Sequence, residues 1–110
     1  MDHPLVLSFR NISPSEELKK FIRKCAARME QRHQHIIGCQ VTVEHCHTHE
    51  ATADVNIDIQ MPGENLLVRN QSSGADDVLA AIDQAFDSAA RQIEEYKERK
   101  MESPAHGPSI

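Results

Sequence analysis

Hydrophobic residues in the C-terminal part of the chain recur at steps of three and four. The stretch runs from Ser72 to Lys100, begins after a Ser-Ser-Gly break, and carries acidic residues in its first turn and basic residues in its last. This pattern predicts one long amphipathic helix, which needs an apolar surface to lie on. The apolar positions that share one helical face are Val78, Ile82, Ala85, Phe86, Ala89, Ile93 and Tyr96.

The N-terminal part predicts a strand followed by a helix. Residues 4–11 alternate between apolar and polar positions, as in a strand with one buried face. A helix over residues 14–33 follows, because Ser13 suits the N-cap, Pro14 suits the first helical position and Glu16 completes a capping box. The apolar stripe of this helix consists of Leu18, Phe21, Ile22, Cys25 and Met29.

Three further strands are predicted between the two helices. Alternation marks residues 39–44, 51–61 and 66–71, which are separated by a connection over 45–50 and a turn over 62–65. The order is therefore β-α-β-β-β-α. Strands joined by a helical crossover are parallel and those joined by hairpins are antiparallel. We predict an α+β fold: a two-layer sandwich whose four-stranded mixed sheet carries both helices on one face.

Length and composition fit one domain, because 110 residues can bury a core without disulfide or metal staples. We place this domain at residues 1–101 and a flexible tail at 102–110, where Pro and Ser interrupt the periodicity. The sequence shows no apolar run near the roughly 20 residues that span a bilayer and no evident secretory signal. Three Cys residues without close-paired spacing fit reduced thiols in the cytoplasm.

Charge is unevenly distributed. The net charge of −5 argues by itself against nucleic-acid binding. Residues 10–32, however, hold seven basic and three acidic residues, whereas residues 33–68 hold five acids and no Lys or Arg. A solvated lysine face is the ordinary interpretation of such a helix. A local basic surface is the alternative, since exposed charges more than about 10 Å apart are largely screened at 0.1 M salt.

Several segments carry a resemblance to a known family through their order and spacing. They are Phe9 to Ile12, Ser15-Glu16, Met29-Glu30, Val41 to Glu44, Ala53 to Ile59, Asp77 to Asp83, and Ala90 to Lys97. Together they resemble the ribosome hibernation-promoting factor family, also known as sigma-54 modulation or ribosome-associated inhibitor proteins, in its short form. The long form has an additional C-terminal domain that pairs two ribosomes.

The resemblance implies binding in the mRNA/tRNA channel of the small ribosomal subunit, where occlusion blocks initiation and promotes hibernation. The implied partner is rRNA, whose phosphates Lys and Arg neutralise. It implies no enzyme activity, cofactor, small-molecule substrate or membrane. The fourth strand has an exposed edge, so a homodimer is a further alternative. The implied rRNA-binding residues are Lys19, Lys20, Arg23, Lys24, Arg28, Arg69, Arg91, Lys97 and Lys100.

The second helix departs from the family's basic character. Acids near rRNA oppose binding, so the alternative is a diverged non-catalytic interaction module of the same fold that binds a protein partner. Arg91 also has an ordinary interpretation, as a helix residue that pairs with Asp87 and Glu95. The acids on the solvent side of this helix are Asp83, Asp87, Glu94, Glu95 and Glu98.

The cysteines give little support for catalysis. Cys25 and Cys39 lie at apolar positions and are predicted to be small core residues. Cys46 stands beside histidines, but no oxyanion-stabilising motif or acid partner accompanies it.

Alternating histidines give a weak metal candidate. His45, His47 and His49 stand in the predicted connection, and imidazole is a zinc ligand, but no ligand pair has structural-zinc spacing. We predict no metal site, so adding zinc should leave the melting temperature and the His chemical shifts unchanged. A rise in melting temperature with shifts at all three His would instead establish a site.

Overall fold

The computed structural model describes residues 2–46, 52–72 and 78–106. The predicted element order, β-α-β-β-β-α, is confirmed. Within the described residues, neither helix is both long and apolar enough to cross a membrane. The elements are β1 (Val6–Arg10), α1 (Glu16–Arg32), β2 (Gly38–Cys46), β3 (Thr52–Met61), β4 (Glu64–Gln71) and α2 (Val78–His106).

The four strands form one mixed sheet in the order β1-β2-β3-β4. β1 and β2 are parallel, as a crossover through α1 requires. The pairs β2–β3 and β3–β4 are antiparallel. β1 and β4 are therefore the two edges of the sheet.

Both helices cover the same face of this sheet, as predicted. Apolar residues at alternate positions of β2, β3 and β4 join those of α1 and α2 in a single buried cluster. Cys25 and Cys39 belong to this cluster, which confirms their assignment to the core. The largest fully buried side chains are Ile22, Ile57, Ile59, Ile82, Ile93, Val41, Val43 and Val55.

Neither of the described helices covers the other face of the sheet. Residues directly opposite each other on neighbouring strands share a face, so the register defines transverse rows across it. One such row has apolar ends, Val6 and Leu67, which are 49% and 53% exposed. Gln40 and Asp58 lie between them.

The predicted start of α1 is wrong. Ser15, not Ser13, is the N-cap, and its Oγ accepts a hydrogen bond of 3.1 Å from the backbone N–H of Leu18. Pro14 therefore precedes the cap instead of occupying the first helical position. With this start, Glu16 and Glu17 both lie in the first turn, where the exposed N–H groups favour negative charge.

The predicted turn between β3 and β4 is too long. β4 begins at Glu64, so the connection consists of Pro62 and Gly63 alone. Gly63 has φ of 81°, which fits the second central position of a type II turn after Pro. Ser72 likewise extends the sheet: its N–H donates to the Ala53 carbonyl, and its Oγ accepts from the Ala53 N–H.

The end of α2 also differs from the prediction. The helix continues to His106, so residues 102–106 of the predicted tail are helical, whereas 107–110 lie outside the described residues. Each further residue adds one bond to an existing helix, except Pro104, which has no backbone N–H although its fixed φ is compatible with helix geometry. In the predicted connection over 45–50, β2 extends to Cys46, and the remainder lies outside the described part.

The cap assignment is testable. Replacing Ser15 with Ala should lower the free energy of unfolding by about 1 kcal/mol, because the Leu18 N–H loses its acceptor. Ser13→Ala is the matched control and should leave stability unchanged. Urea unfolding of both variants measures the difference, and equal effects at the two serines would contradict the assignment.

Candidate nucleic-acid interface

The solvent side of α1 carries a line of basic residues. Lys20, Lys24, Arg28 and Arg32 follow one another at four-residue steps and are all exposed. Side chains four apart lie on the same helical face, so the line is about 18 Å long at 1.5 Å per residue. We call these four residues the α1 basic row. Arg32 was missed as a site residue, although its spacing continues the predicted series.

Two further predicted bases flank this row. Arg23 is exposed, and Lys19 is partly buried. The Lys19 Nζ lies 3.7 Å from Glu16 Oε1. Such exposed pairs contribute little to stability, so Lys19 can exchange this partner for another anion at small cost.

A groove separates the C-terminal half of α1 from α2. It has a volume of about 380 Å³, with Arg28 and Arg32 on one wall and Asp83 and Asp87 on the other. Among the described residues, no ion pair joins these two arginines to these two aspartates. The α1 basic row therefore has an acidic border on the α2 side, which limits the positive surface to the outer face of α1.

His33 closes one end of this groove. It is the C-cap residue of α1 and is only 3% exposed. Its Nδ1 lies 2.8 Å from Lys97 Nζ and 3.7 Å from Glu94 Oε1. Because an ammonium group only donates, Nδ1 is the acceptor, which assigns the ring proton to Nε2.

The contact with His33 changes the role of Lys97. Lys97 was predicted as an rRNA contact, but it is partly buried and fastens the end of α1 to α2. Burial, followed by the charge of Lys97, lowers the pKa of His33 below its ordinary 6.5, while Glu94 acts in the opposite direction.

The remaining predicted bases are separated from this row. Arg69 pairs in register with Asn56 on the uncovered face of the sheet, opposite the helices. Arg91 is exposed on α2 and borders grooves on both sides of that helix. No ion pair of Arg91 with Asp87 or Glu95 occurs among the described residues, contrary to its ordinary interpretation. The side chain of Lys100 lies outside the described part.

A family model described as "Sigma 54 modulation protein / S30EA ribosomal protein" matches residues 5–101. The chain belongs to this family. The resemblance drawn from segment order and spacing is thereby confirmed, and we refer to the S30EA family below.

Individual relatives agree with this membership. The ribosome hibernation promotion factor of Deinococcus radiodurans is 28% identical over 103 residues, which are 92% of this chain and 52% of that protein. The chain thus spans about half the length of this curated relative.

Two solved structures have the same fold. A ribosomal subunit interface protein from Coxiella burnetii superimposes with a TM-score of 0.73 at 16% identity, covering 86% of this chain and 97% of that one. The N-terminal domain of Thermus thermophilus Protein Y gives 0.69 at 23% identity, covering 87% and 99%. These likenesses establish the α+β sandwich of the S30EA family for this chain.

The buried thiols are unsuited to chemistry at this surface. Burial raises the pKa of Cys39 to about 12 and also raises that of Cys25, where Arg28 partly opposes the effect. Thiols with raised pKa stay protonated and are poor nucleophiles and metal ligands.

The weak metal candidate remains a prediction. The ranges that the structure describes contain no group of three His, Cys, Asp or Glu side chains arranged to hold a metal ion. His47 and His49 lie outside those ranges, as does the side chain of Cys46.

The His33 contact predicts a pH dependence of stability. Because the pKa of His33 is lower in the folded chain, the unfolded chain binds more protons below its pKa of 6.5. Stability is therefore fully present above pH 6.5 and decreases as the pH falls through this value. Urea unfolding between pH 5 and 8 measures the slope. His33→Gln should flatten it, whereas the exposed control His35→Gln should keep it. An unchanged slope in His33→Gln would contradict the assignment.

Proposed function

We propose that this chain is a ribosome-associated translation inhibitor that binds rRNA in the mRNA/tRNA channel of the small subunit. Bound there, it promotes hibernation by occlusion, within the cytoplasm where ribosomes reside. The observation that carries the proposal is the α1 basic row, presented on the fold of the S30EA family. Its relative from Deinococcus radiodurans is named a ribosome hibernation promotion factor, which supports the same function.

The chemistry needed for this function is modest. Structured RNA presents phosphates at regular spacing, and each Lys or Arg that neutralises a phosphate releases counterions. A line of four bases on one rigid helix can follow a phosphate backbone without rearrangement. Occlusion needs no bond to be made or broken, so the function requires affinity and shape but no catalytic group or cofactor.

The acidic wall of the groove between the helices limits the side from which RNA can approach the α1 basic row. Asp83 and Asp87 repel phosphate from the α2 side, so we expect the RNA backbone to run along the outer side of α1, next to Lys20 and Lys24. Lys19, Arg23 and Arg28 contribute from the same helix.

The bases outside α1 have different parts in the proposal. Arg91 contributes from the exposed side of α2, together with Lys100 of the same helix. Lys97 reaches RNA only when it leaves His33. Arg69 lies on the opposite face of the sheet and so contacts a different segment of rRNA.

A protein partner is the second candidate. The observation in its favour is the exposed acidic side of α2, where Asp83, Asp87, Glu94, Glu95 and Glu98 are all exposed. A basic protein surface would match this charge, whereas RNA would not. In that case the fold is kept but the partner is different.

Co-sedimentation with small ribosomal subunits tests the proposal. We expect binding at low salt that weakens steeply as salt rises, because phosphate contacts release counterions. The double variant Lys20→Glu, Lys24→Glu should lose binding at every salt concentration while unfolding at the same urea concentration as the original chain.

The matched control is Arg10→Glu, Arg99→Glu, which changes the net charge by the same amount at two bases that are not among the proposed RNA contacts. It should retain most of the affinity. Equal losses in the two double variants would show that only net charge matters, and absence of binding at low salt would favour the protein partner.

A further inference from the structure

His33 lies between a cation and an anion that come from the same helix. Its Nδ1 is 2.8 Å from Lys97 Nζ and 3.7 Å from Glu94 Oε1. Residues three apart on a helix are neighbours on its surface, so Glu94 and Lys97 approach the imidazole ring from adjacent turns of α2. No ion pair joins these two residues to each other in the part of the chain that the structure describes. One ring nitrogen therefore has two candidate partners.

The neutral ring selects Lys97. An imidazole nitrogen without a proton accepts a hydrogen bond, and an ammonium group only donates. The contact of 2.8 Å is therefore the one that neutral His33 makes. An ionised carboxylate has no proton to donate to this nitrogen, so Glu94 remains in the solvent, with 61% of its side chain exposed.

The protonated ring selects Glu94 instead. Both nitrogens of an imidazolium donate, so Nδ1–H and the Lys97 ammonium group would direct protons at each other across 2.8 Å. Two positive charges at this distance repel each other. Glu94 Oε1, at 3.7 Å, has to move by only about 0.8 Å to reach the usual N–H···O distance of about 2.9 Å. Protonation thus replaces a cationic partner with an anionic one.

The surroundings of His33 determine the pH at which the ring takes up a proton. Burial is the largest effect and lowers the pKa of the ring below 6.5, so His33 is neutral at pH 7. Its C-cap position opposes this effect, because the last carbonyls of a helix favour a cation. No charged side chain of the described strands borders the two grooves beside His33. The charged residues that do border them, besides Glu94, are Arg28 and Arg32 from α1 and Asp83, Asp87 and Arg91 from α2.

We propose that protonation of His33 exchanges its partner from Lys97 to Glu94 and releases Lys97 as a further RNA-binding base beside the α1 basic row. The identity of the ligand as RNA rests on the proposed function. The exchange of partners does not depend on it.

The released lysine lies at one end of the α1 basic row. Arg32 is the last residue of that row and directly precedes His33 in the chain. A groove of about 720 Å³, bordered by Arg32, His33 and Glu94, lies beside the contact and gives the Lys97 side chain room to turn toward solvent. An RNA backbone that follows the row past Arg32 therefore meets Lys97 next.

The exchange alters two charges at the border of the basic surface. With neutral His33, the Glu94 carboxylate borders the groove beside α1 and repels phosphate, while the Lys97 charge is held against the ring. With protonated His33, the imidazolium neutralises Glu94 and Lys97 is released. One proton thus adds a cation and covers an anion at the same place, so RNA binding strengthens as the pH falls.

Nuclear magnetic resonance of the full chain between pH 8 and pH 5 tests the exchange without ribosomes. We expect the His33 Nδ1 resonance to report protonation and the Lys97 ε-methylene resonances to shift with the same midpoint. The nuclear Overhauser contact between the two side chains should disappear in parallel. In His33→Gln, whose amide oxygen accepts from Lys97 at every pH, the Lys97 resonances should stay constant. His35→Gln is the matched control, since His35 is exposed just beyond α1, and should keep the shared midpoint.

Two changes on α2 should move the His33 midpoint in opposite directions. Lys97→Met should raise it, because the ring loses the neighbouring cation, and Glu94→Gln should lower it, because the imidazolium loses its anion. Glu94 is exposed and Lys97 only partly buried, so the core is left intact. Shifts in the same direction, or Lys97 resonances that do not follow His33, would overturn the exchange.

Co-sedimentation with small ribosomal subunits at pH 7.5 and pH 5.5 tests the release of Lys97 to RNA. We expect the plot of log affinity against log salt to steepen at the lower pH, and to steepen by roughly one more in the original chain than in His33→Gln, as for one added phosphate contact. Equal steepening in both would overturn the release. Absence of binding at both pH values, with the shared midpoint present, would contradict the proposed function and the RNA part of this proposal but not the exchange.

Discussion

The burial of one apolar sheet face under two helices is the constraint on which the rest of this structure depends. Ile22 from α1, Ile57 from β3 and Ile82 from α2 are fully buried in one cluster, and each such side chain stabilises the fold by roughly 1.5–3 kcal/mol. Because α1 must turn its apolar stripe inward, its charged positions are forced outward in a row. The basic surface is thus a direct consequence of the periodicity that forms the core.

The same packing places unlike charges close together. With α1 and α2 side by side, the bases of α1 face the acids of α2 across a groove, and His33 is buried where the two helices meet. Burial of a neutral imidazole with Lys97 as its donor secures the helix end. It also keeps the Lys97 ammonium group away from the RNA-facing surface. The contact therefore stabilises the fold but leaves Lys97 unavailable to RNA.

Much of the architecture could be predicted from sequence because it rests on local periodicity. The alternation in β3 and the stripes of α1 and α2 follow from residues within one element, and they gave the correct order and layers. The N-cap could not be chosen in this way, since Ser13 and Ser15 both fit local preferences. The burial of His33 depends on Lys97, 64 residues away, and no local pattern reports such a contact. The resemblance implied that Arg69 binds rRNA together with the helix bases, although alternation with the buried Val68 already placed it on the other face.

A mixed sheet of this topology always has two edges, and here they are unequal. β1 is a strand of five residues followed by Asn11 at φ 57°, which limits pairing, whereas β4 has eight residues and an exposed Leu67. Arg91 borders both the groove between β4 and α2 and the groove beside α1. The α1 basic row shares no residue with the β4 edge, so a change at that edge should leave the RNA affinity of α1 intact.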